Sequence, residues 1–520
     1  MPRISKSSFL KGRQCARRVW LVAHGVVEPA VETEDVWDLR EVEGAHVEAL
    51  AAELFPRAVR IADADDDETV EETRATFAEL VQRTEVELAR GVPVLQAHFQ
   101  TDELLAIADV VEPRHKGWFL WEVKASTSSK PVFDWDLAFQ VEVARQCGLD
   151  VVGAGVIRLE PNYVRRGALD PRALLAFEDR TRDVQALESG VRAAIHAQLD
   201  VLRATRAPDT TPAGHCKANR DGKDGARPST CGHLGRDGYC GRELPEHWAG
   251  ELPAIFTSRP KSNAIARMRP PSIDALDPDD ATLAWTPLQA RVIRAVRANA
   301  AQIDRAALRA ELDRLVFPVA YVDFEFDPGM AVPRFDGSRP YEKLPFQWSM
   351  HVQRAPGAEL EERAPFLHLA ATDPRRAFAQ SFLAALPETG SLVAHHAQTE
   401  KEVLHALADA LGAPNDERLR RLDARFVDTL KLLKAGYYHP AQHGSYSIKK
   451  VAPALLDRGY EDLALQNGMA AVVAWKEAIA PRTTLERRAQ LERDLRAYCG
   501  RDTELMHCIV ERLRELVGAR

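Results

Sequence analysis

The chain has 520 residues, a formal net charge of −8 and 28% charged side chains. A chain of this length is expected to form two to four domains with substantial cores. The negative net charge excludes nucleic-acid binding through a globally basic surface, so such binding must depend on local basic patches and bound cations. No segment has membrane-spanning apolar length, and no small-residue cleavage site follows the basic N-terminus. We therefore predict a cytoplasmic protein with no membrane partner.

The seven cysteines are too few for a disulfide framework in so long a chain, which favours a reducing compartment where clustered cysteines hold metal. The candidate ligands of a structural metal or iron–sulfur cluster are Cys15, Cys216, Cys231 and Cys240. Zn²⁺ is the competing interpretation, because His233 and the three late cysteines would complete a tetrahedral site without Cys15. A cluster is favoured because Cys15 otherwise has no role. The remaining cysteines lie in apolar helical contexts and are predicted to be core residues: Cys147, Cys499 and Cys508.

In the first half, two predicted strands joined by a turn, 104–111 and 118–125, carry a candidate metal site. Asp109 lies near the end of one strand. Glu122 and Lys124 are two residues apart, so both side chains project from one face of the other strand and can meet Asp109 across the hairpin. Two adjacent carboxylates require a divalent cation to offset their repulsion, and that cation can polarise a phosphate and activate water.

A predicted helix, 135–147, follows this hairpin and carries Gln140 toward the same end. The next predicted strand covers 151–159. With Asp109 and the Glu122-Val-Lys124 segment, Gln140 completes an arrangement that resembles the PD-(D/E)XK nucleases, specifically their RecB-like branch. The resemblance implies a restriction-endonuclease-like α/β domain that uses Mg²⁺ or Mn²⁺.

The N-terminal segment 5–21 is similar to the opening segment of iron–sulfur members of that branch, which include AddB-type helicase-nucleases and the nucleases of CRISPR adaptation. In those families one N-terminal and three C-terminal cysteines ligate a [4Fe–4S] cluster, and the cysteines here follow the same order. The branch also has an early helical histidine, after a glycine, that ligates metal. Here Gly44 is followed by His46 and Glu48, and His46 is the candidate ligand.

The middle of the chain, 251–315, is predicted to be a helical connector between a first domain, 1–250, and a second, 316–520. Within it, an apolar-periodic run begins at Thr286-Pro287, as an N-cap and first helical residue would, and continues to residue 315.

A buried strand, 319–326, opens the second domain and is interrupted by Asp323 and Glu325, which share one face. Buried acids require compensation, so these two are candidate metal ligands. Further strands, 341–352, 366–370 and 391–395, complete a meander typical of an RNase H-like sheet.

The last of these strands runs into a predicted helix that carries Glu400. Tyr498 and Asp502 are four residues apart in the predicted helix 491–516, so they lie on the same helix face. With Asp323 and Glu325, this order of residues resembles the DEDD exonucleases of the DnaQ-like superfamily, in their tyrosine variant.

In that superfamily four acids bind two Mg²⁺ ions, and the tyrosine helps to position the nucleophile. Members usually place an aspartate at the second motif, where this chain has Glu400; Asp428 is the substitute candidate. The segment 444–453 resembles the connecting motif of such domains, where Lys449 and Lys450 either contact backbone phosphate or form a solvated helix start.

The fusion of a RecB-like domain to a DnaQ-like domain resembles an uncharacterised bacterial family, and this resemblance spans nearly the whole chain. It implies a DNA nuclease with two active centres that processes DNA ends in repair, CRISPR adaptation or phage defence. Two alternatives stay open: a non-catalytic nucleic-acid-binding or assembly protein with decayed sites, and an exonuclease whose substrate is RNA. The chain has no GxxxxGK[ST] phosphate loop, so unwinding would require a helicase or defence-system partner.

Overall fold

A computed structural model of the chain describes residues 3–28, 34–61, 76–210, 212, 214–216, 231, 239–268 and 272–518. The chain forms two compact units. Unit 1 comprises Met1–Glu243 and Ala331–Pro340, and unit 2 comprises Leu244–Met330 and Tyr341–Arg520. Each unit combines helices with a mixed sheet, which confirms the predicted α/β class. Among the helices of the described residues, none combines the length and apolar character needed to cross a bilayer.

The helices and strands of unit 1 alternate along the chain. They are β1 (Ile4–Ser5), α1 (Lys6–Gln14), α2 (Ala16–Ala23), α3 (Glu34–Ala52), β2 (Val59–Arg60), α4 (Phe77–Ala89), β3 (Val94–Gln100), β4 (Leu104–Arg114), β5 (Gly117–Lys124), α5 (Pro131–Gln146), β6 (Val151–Leu159), α6 (Pro171–Leu174), β7 (Leu175–Asp179) and α7 (Thr181–Arg203).

The described strands of unit 1 form one sheet in the order β2-β3-β4-β5-β6-β7, with β1 paired to β4. Strands β3, β4 and β5 are antiparallel neighbours, whereas β5 and β6 are parallel. Separate hydrophobic clusters cover the two faces: Leu120 packs with residues of α1, α5 and α7, and Trp121 packs with residues of α3. Side chains alternate along a strand, so Glu122 shares the face of Leu120, toward α1 and α5.

Unit 2 contains the remaining elements. They are α8 (Arg259–Arg267), α9 (Pro287–Ala298), β8 (Gln302–Ile303), α10 (Arg305–Leu312), β9 (Val319–Asp327), β10 (Leu344–Gln353), β11 (Leu360–Glu362), β12 (Phe366–Leu367), α11 (Arg375–Ala385), β13 (Leu392–Ala394), α12 (Gln398–Leu411), α13 (Asn415–Arg421), β14 (Phe426–Asp428), α14 (Thr429–Gly436), β15 (Tyr437–Tyr438), α15 (Ile448–Leu456), α16 (Gly468–Ile479) and α17 (Leu485–Val517).

The main sheet of unit 2 has the order β11-β10-β9-β13-β14, with β12 paired to β10. β9 is antiparallel to β10 and parallel to β13, and β13 is parallel to β14. Val322 and Phe324 pack with residues of α11 and α12. Asp323 faces the other side, where the Sγ of Cys499 in α17 lies 3.4 Å from its Oδ2. The alternation expected from the sequence therefore directs the acids of β9 toward α17.

The predicted connector, 251–315, belongs to unit 2 and is not a single helical run. Thr286 caps α9 as predicted, with Pro287 as the first helical residue and a capping box to Gln289. That helix ends at Ala298, and β8 and α10 follow. Its apolar face is buried, and Arg291 donates hydrogen bonds to the carbonyl groups of residues 434 and 435. Because this segment packs and forms hydrogen bonds within unit 2, it is part of that folded unit. The sequence pattern alone did not reveal these contacts.

Candidate functional sites

The first carboxylate centre lies in unit 1 where β4, β5 and α5 meet. Asp109 in β4 accepts a 2.7 Å hydrogen bond from the backbone NH of Val123. Glu122 in β5 accepts a 2.6 Å hydrogen bond from the side-chain amide of Gln140 in α5. Lys124 donates to Glu122 at 2.5 Å. The structure therefore brings together the four residues that the sequence pattern singled out here.

Two further side chains of this centre were not predicted. Lys6, the first residue of α1, donates a 2.8 Å hydrogen bond to Oε1 of Glu122. Asp136, one turn before Gln140, accepts a 2.7 Å hydrogen bond from Lys124 and a 3.1 Å hydrogen bond from Gln140. The sequence signal for Asp136 is its position four residues before Gln140 on the same helix face. Lys6 gave no comparable signal, because it is 116 residues from Glu122 along the chain.

Burial and neighbouring charges shift the pKa values of Asp109 and Glu122 in opposite directions. Burial, reinforced by the negative charge of Glu122, raises the pKa of Asp109 to about 8. Burial acts on Glu122 in the same direction, but the ammonium groups of Lys124 and Lys6 hold the pKa of Glu122 well below its usual range. Of the two acids, Asp109 is thus the one that takes up a proton more readily, and Glu122 is the one that its ammonium partners hold ionised.

His46 is not placed with these residues. Its side chain is exposed on α3, whereas Glu48 on the same helix is half-buried and accepts a 3.2 Å hydrogen bond from Gln96. Burial and then the charge of Glu122 raise the pKa of Glu48, so Glu48 is the acid of α3 that faces the centre. The prediction of His46 as a ligand does not fit this structure, because two residues along a helix are about 200° apart around its axis.

The second carboxylate centre lies in unit 2 on the face of β9 that is covered by α17. Asp323 and Glu325 of β9 bring carboxylate oxygens within 4.8 Å of each other and of the Cys499 sulfur. Glu400 of α12 and Asp502 of α17 are buried, with 4% and 6% of their surfaces exposed. Each of them interacts electrostatically with the β9 pair. The four predicted acids, from three separate parts of the chain, therefore form one cluster.

Two tyrosines and one lysine complete the second centre. Tyr460, which was not predicted, donates a short hydrogen bond to Oδ1 of Asp502. The hydroxyl of Tyr498 accepts a 2.9 Å hydrogen bond from the ammonium group of Lys449 in α15. Lys449 therefore faces the acids, whereas Lys450 is exposed. The sequence signal that distinguishes them is helix periodicity, since adjacent residues point about 100° apart.

The acids of the second centre bind protons tightly. Burial, followed by the charge of Asp502, raises the pKa of Asp323 well above its usual range. Burial and then the charge of Asp323 have the same effect on the pKa values of Glu325 and Glu400. Burial also raises the pKa of Asp502 to about 6, although Tyr460 and Lys449 oppose that shift.

Glu400 and Asp428 have different roles in the structure. Oε2 of Glu400 is buried and accepts no hydrogen bond from the described residues. Asp428 caps α14, because its Oδ1 accepts 2.9 Å hydrogen bonds from the backbone NH groups of Leu430 and His396. Oδ1 of Asp428 is therefore engaged as a helix cap. Glu400, whose buried Oε2 has no hydrogen-bond partner among the described residues, is the stronger candidate for the fourth acid.

The four candidate cluster ligands surround one cavity in unit 1. Cys15 follows α1, and the other three lie in the segment after α7; together they line the cavity with Arg17, Arg18 and His215. The backbone NH of Cys231 donates a 2.8 Å hydrogen bond to the carbonyl of Cys216. Burial raises the pKa values of the Cys15 and Cys240 thiols. His233, the alternative zinc ligand, lies outside the described residues.

The other cysteines are not uniformly core residues. Cys499 is fully buried, as predicted, although its sulfur lies against Asp323. Cys508 is half-buried, and Cys147 is exposed as the C-cap of α5. The prediction for Cys147 was wrong because the helix ends one residue earlier than its apolar pattern indicated.

A comparison with protein families gives a match in the second half of the chain. A family model described as a domain of unknown function, DUF2779, matches residues 320–447. No curated protein matches the chain. The matched segment includes Asp323, Glu325 and Glu400, and it ends before Tyr498 and Asp502.

Proposed function

We propose that this protein is a metal-dependent nuclease with two active centres, one RecB-like and one that removes nucleotides from the 3′ end of DNA. The observation that carries the proposal is the cluster of four buried acids in unit 2. Taking several carboxylates out of water together is unfavourable unless cations or protons compensate them. A folded protein that retains such a cluster is best explained by a binding role for the acids.

The fold of unit 2 agrees with an RNase H-like domain. Three antiparallel strands, β9, β10 and β11, are followed by β13 and β14, which run parallel to β9. The first strand of that meander carries Asp323 and Glu325 at its centre. This is the arrangement that the resemblance to the DnaQ-like exonucleases implies, and it supports assigning the second centre to 3′→5′ hydrolysis.

The donor set of the second centre fits Mg²⁺ or Mn²⁺. Its acids supply only oxygen ligands, which these ions prefer, and Oε2 of Glu400 is a buried acceptor available for a cation. Asp323, Glu325, Glu400 and Asp502 would hold the ions. When bound, the ions polarise a phosphate and lower the pKa of a water molecule.

The surrounding side chains then perform separate tasks. Tyr460 orients Asp502 through its hydrogen bond. Lys449 directs the Tyr498 hydroxyl by donating to it, which leaves the Tyr498 proton available for a substrate oxygen. Lys449 also offsets part of the negative charge of the acids. These contacts position the nucleophile and the scissile phosphate without themselves bearing the bond-breaking step.

The first centre also fits a divalent cation. The acids Asp109, Glu122 and Glu48 supply oxygen ligands. Burial and the charge of Glu122 raise the pKa of Asp109 to about 8 despite the nearby ammonium groups of Lys6 and Lys124, and a bound cation would favour the ionised acid. Lys124, held between Glu122 and Asp136, would offset charge on a bound phosphate or orient water. Gln140 fixes the other oxygen of Glu122. This geometry supports phosphodiester cleavage at the RecB-like centre.

We assign the cysteine cavity to a [4Fe–4S] cluster held by Cys15, Cys216, Cys231 and Cys240. Cys15 lines the cavity with the three late cysteines, and its thiol interacts electrostatically with that of Cys231. A zinc ion held by His233 and the late cysteines would leave Cys15 without a role, whereas a [4Fe–4S] cluster uses all four cysteines.

The nuclease proposal is tested by assaying the full-length protein with Mg²⁺ and with Mn²⁺. The substrates are 5′- and 3′-labelled single- and double-stranded DNA, and RNA of the same sequence. Lys124→Ala disables the first centre and Asp502→Ala the second. The matched controls are Lys116→Ala, on the exposed turn of the same hairpin, and Asp494→Ala, on the same helix as Asp502.

We expect Asp502→Ala to remove stepwise shortening from the 3′ end and Lys124→Ala to remove a different set of products. Each loss should be at least about a hundredfold, while the controls retain wild-type cleavage. Activity that survives in the double variant Lys124→Ala/Asp502→Ala, or a wild type that cleaves neither polymer, would overturn the proposal. If the protein cleaves RNA and not DNA, its substrate is RNA.

The cluster is tested separately on anaerobically purified protein. Iron and acid-labile sulfide analysis should give about four of each per chain, with a broad absorption near about 400 nm. Cys231→Ala should lose both, whereas Cys147→Ala, which changes an exposed cysteine, should retain them. If the wild type contains zinc and no acid-labile sulfide, the cysteines bind zinc and not an iron–sulfur cluster.

A further inference from the structure

A second type of metal-binding geometry lies in unit 2, in side chains that neither nuclease centre uses. His247, Glu251 and His443 bring one potential ligand atom each within 4.8 Å of one another. The two imidazole rings are stacked with centroids 5.2 Å apart. Nδ1 of His443 lies 3.7 Å from Oε2 of Glu251. Two imidazoles and one carboxylate therefore lie close enough together to be ligands of one ion.

The first two ligands lie on a tightly packed turn. His247 and Glu251 are four residues apart in a turn that contains the buried Trp248, which is 4% exposed. The backbone NH of Glu251 donates a 2.8 Å hydrogen bond to the carbonyl of Trp248. The carbonyl of His247 accepts a 2.8 Å hydrogen bond from the NH of Ile273. These backbone hydrogen bonds fix the turn that carries both side chains before any ion binds.

The third ligand is held by an unusual backbone conformation. His443 has φ 47°, in the left-handed region, and the next residue, Gly444, has φ 76°. A Cβ atom at Gly444 would lie 2.1 Å from the carbonyl oxygen of Glu251. The NH of Gly444 donates a 2.8 Å hydrogen bond to the hydroxyl of Tyr438. The close approach that glycine permits is thus what brings His443 to Glu251.

The chemistry of these donors differs from that of the carboxylate centres. Imidazole nitrogen favours Zn²⁺ and neighbouring transition ions, whereas Mg²⁺ favours oxygen ligands. Nδ1 of His247 is buried and has no hydrogen-bond partner among the described residues. We propose that His247, Glu251 and His443 bind a divalent transition-metal ion of the Zn²⁺ class, with water at the remaining coordination position.

Such an ion would join two segments that are distant in sequence. His247 and Glu251 belong to the turn at the start of unit 2, whereas His443 lies five residues before Ile448, the first residue of α15. That helix supplies Lys449 to the second carboxylate centre. The ion therefore fixes the turn that leads into the helix of a positioning residue, and its binding does not depend on nuclease activity.

The proposal is tested by metal binding to the full-length protein. The wild type and the variants His247→Gln, Glu251→Gln and His443→Gln are stripped with a chelator and incubated with Zn²⁺ in excess Mg²⁺, which occupies the oxygen-only sites. Gel filtration removes free metal, and mass spectrometry counts the zinc retained. His405→Gln is the control, because His405 pairs with Asp423 and lies outside the cluster.

We expect each of the three variants to retain one zinc ion per chain fewer than the wild type and the His405→Gln control. Zinc held by cysteines is common to all samples and cancels in this comparison. Circular dichroism identifies variants that fail to fold, and Glu251→Gln, which preserves shape, decides the result if a histidine variant is lost. Equal zinc retention in folded Glu251→Gln and wild type would overturn the proposal.

Discussion

The ammonium group of Lys449 donates a 2.9 Å hydrogen bond to the hydroxyl of Tyr498, which joins the first turn of α15 to the middle of α17. The same ammonium faces the carboxylates, and the nearby negative charges of Asp502 and Glu325 act to raise its pKa. Burial outweighs them and lowers the pKa of Lys449. This lysine therefore connects Tyr498 of α17 to the acidic centre.

Lys449→Met should slow 3′ exonuclease turnover by about tenfold or more, because a positioned hydrogen bond and a compensating charge are both lost. Without the lysine, the pKa of Asp502 should rise above about 6. Since the ionised acid is required to bind metal, the acidic limb of the pH–rate profile should move to higher pH. Lys450→Met, at the exposed neighbour, should change neither. If Lys449→Met and Lys450→Met slow turnover equally, both lysines instead make general contacts with backbone phosphate.

Lys6→Met should destabilise unit 1 by about 1–2 kcal/mol, because the buried Glu122 would lose one of two ammonium partners. The loss is small because the Lys6 side chain is 30% exposed, so solvent screens its ion pair with Glu122. Urea unfolding measures the change, and Mg²⁺ should recover part of it by supplying positive charge. Lys116→Met, on an exposed turn, is the control. An unchanged midpoint for Lys6→Met would show that the ion pair contributes nothing to stability.

In the metal-free protein, the free energy of unfolding of unit 2 should fall as the pH rises from about 4 to above 6. The pKa of Asp502 is raised to about 6 in the folded chain, so the native state binds more protons than the unfolded state in this window. The contribution is present at low pH and is lost as pH rises, with an upper limit of about 3 kcal/mol for this residue.

Chemical unfolding in a chelator at pH 5 and pH 8 tests this pH dependence. Asp502→Asn should weaken this pH dependence, to which Asp323, Glu325 and Glu400 also contribute, and Asp494→Asn should leave it unchanged. Mn²⁺ should stabilise the wild type more at pH 8 than at pH 5, because the ion must displace bound protons. A Mn²⁺ effect that is independent of pH would contradict the coupling between protons and metal.

Gly444→Ala should lower the free energy of unfolding by at least about 1 kcal/mol more than Gly412→Ala does. Both glycines have positive φ, at 76° and 62°, so both substitutions strain the backbone. Gly412 has open space around its Cβ position, whereas a Cβ at Gly444 would meet the carbonyl of Glu251 at 2.1 Å. Thermal unfolding of the two variants measures the difference. Similar costs would mean that the 443–444 turn moves freely away from Glu251.

Much of the fold was predictable from local patterns. The strand 151–159 was predicted with its observed bounds, and the hairpin strands were correct to within three residues at each end. The long final helix begins six residues before its predicted start, at Leu485 after the N-cap Thr484. Its first turns are polar, so apolar periodicity gave no signal there. Residues 251–315 were interpreted as a connector because their packing partners lie far along the chain.

The sequence by itself determined the pairs that share a face: Glu122 with Lys124, Asp323 with Glu325, and Tyr498 with Asp502. Their spacings of two on a strand and four on a helix follow from backbone geometry, which needs no distant contact. Only the tertiary structure decided the further partners of these pairs. In the structure Glu48, and not His46, faces the first centre. Lys6 and Asp136 also belong to the first centre, and Tyr460 belongs to the second.

The same limit explains why His247, Glu251 and His443 gave no joint signal. The last residue is 192 positions after Glu251, and a glycine with no Cβ is what allows the two segments to meet. Sequence periodicity reports the direction of a side chain relative to its own helix or strand. The distance between two such elements depends on how the chain packs, and packing is settled by contacts over the whole unit.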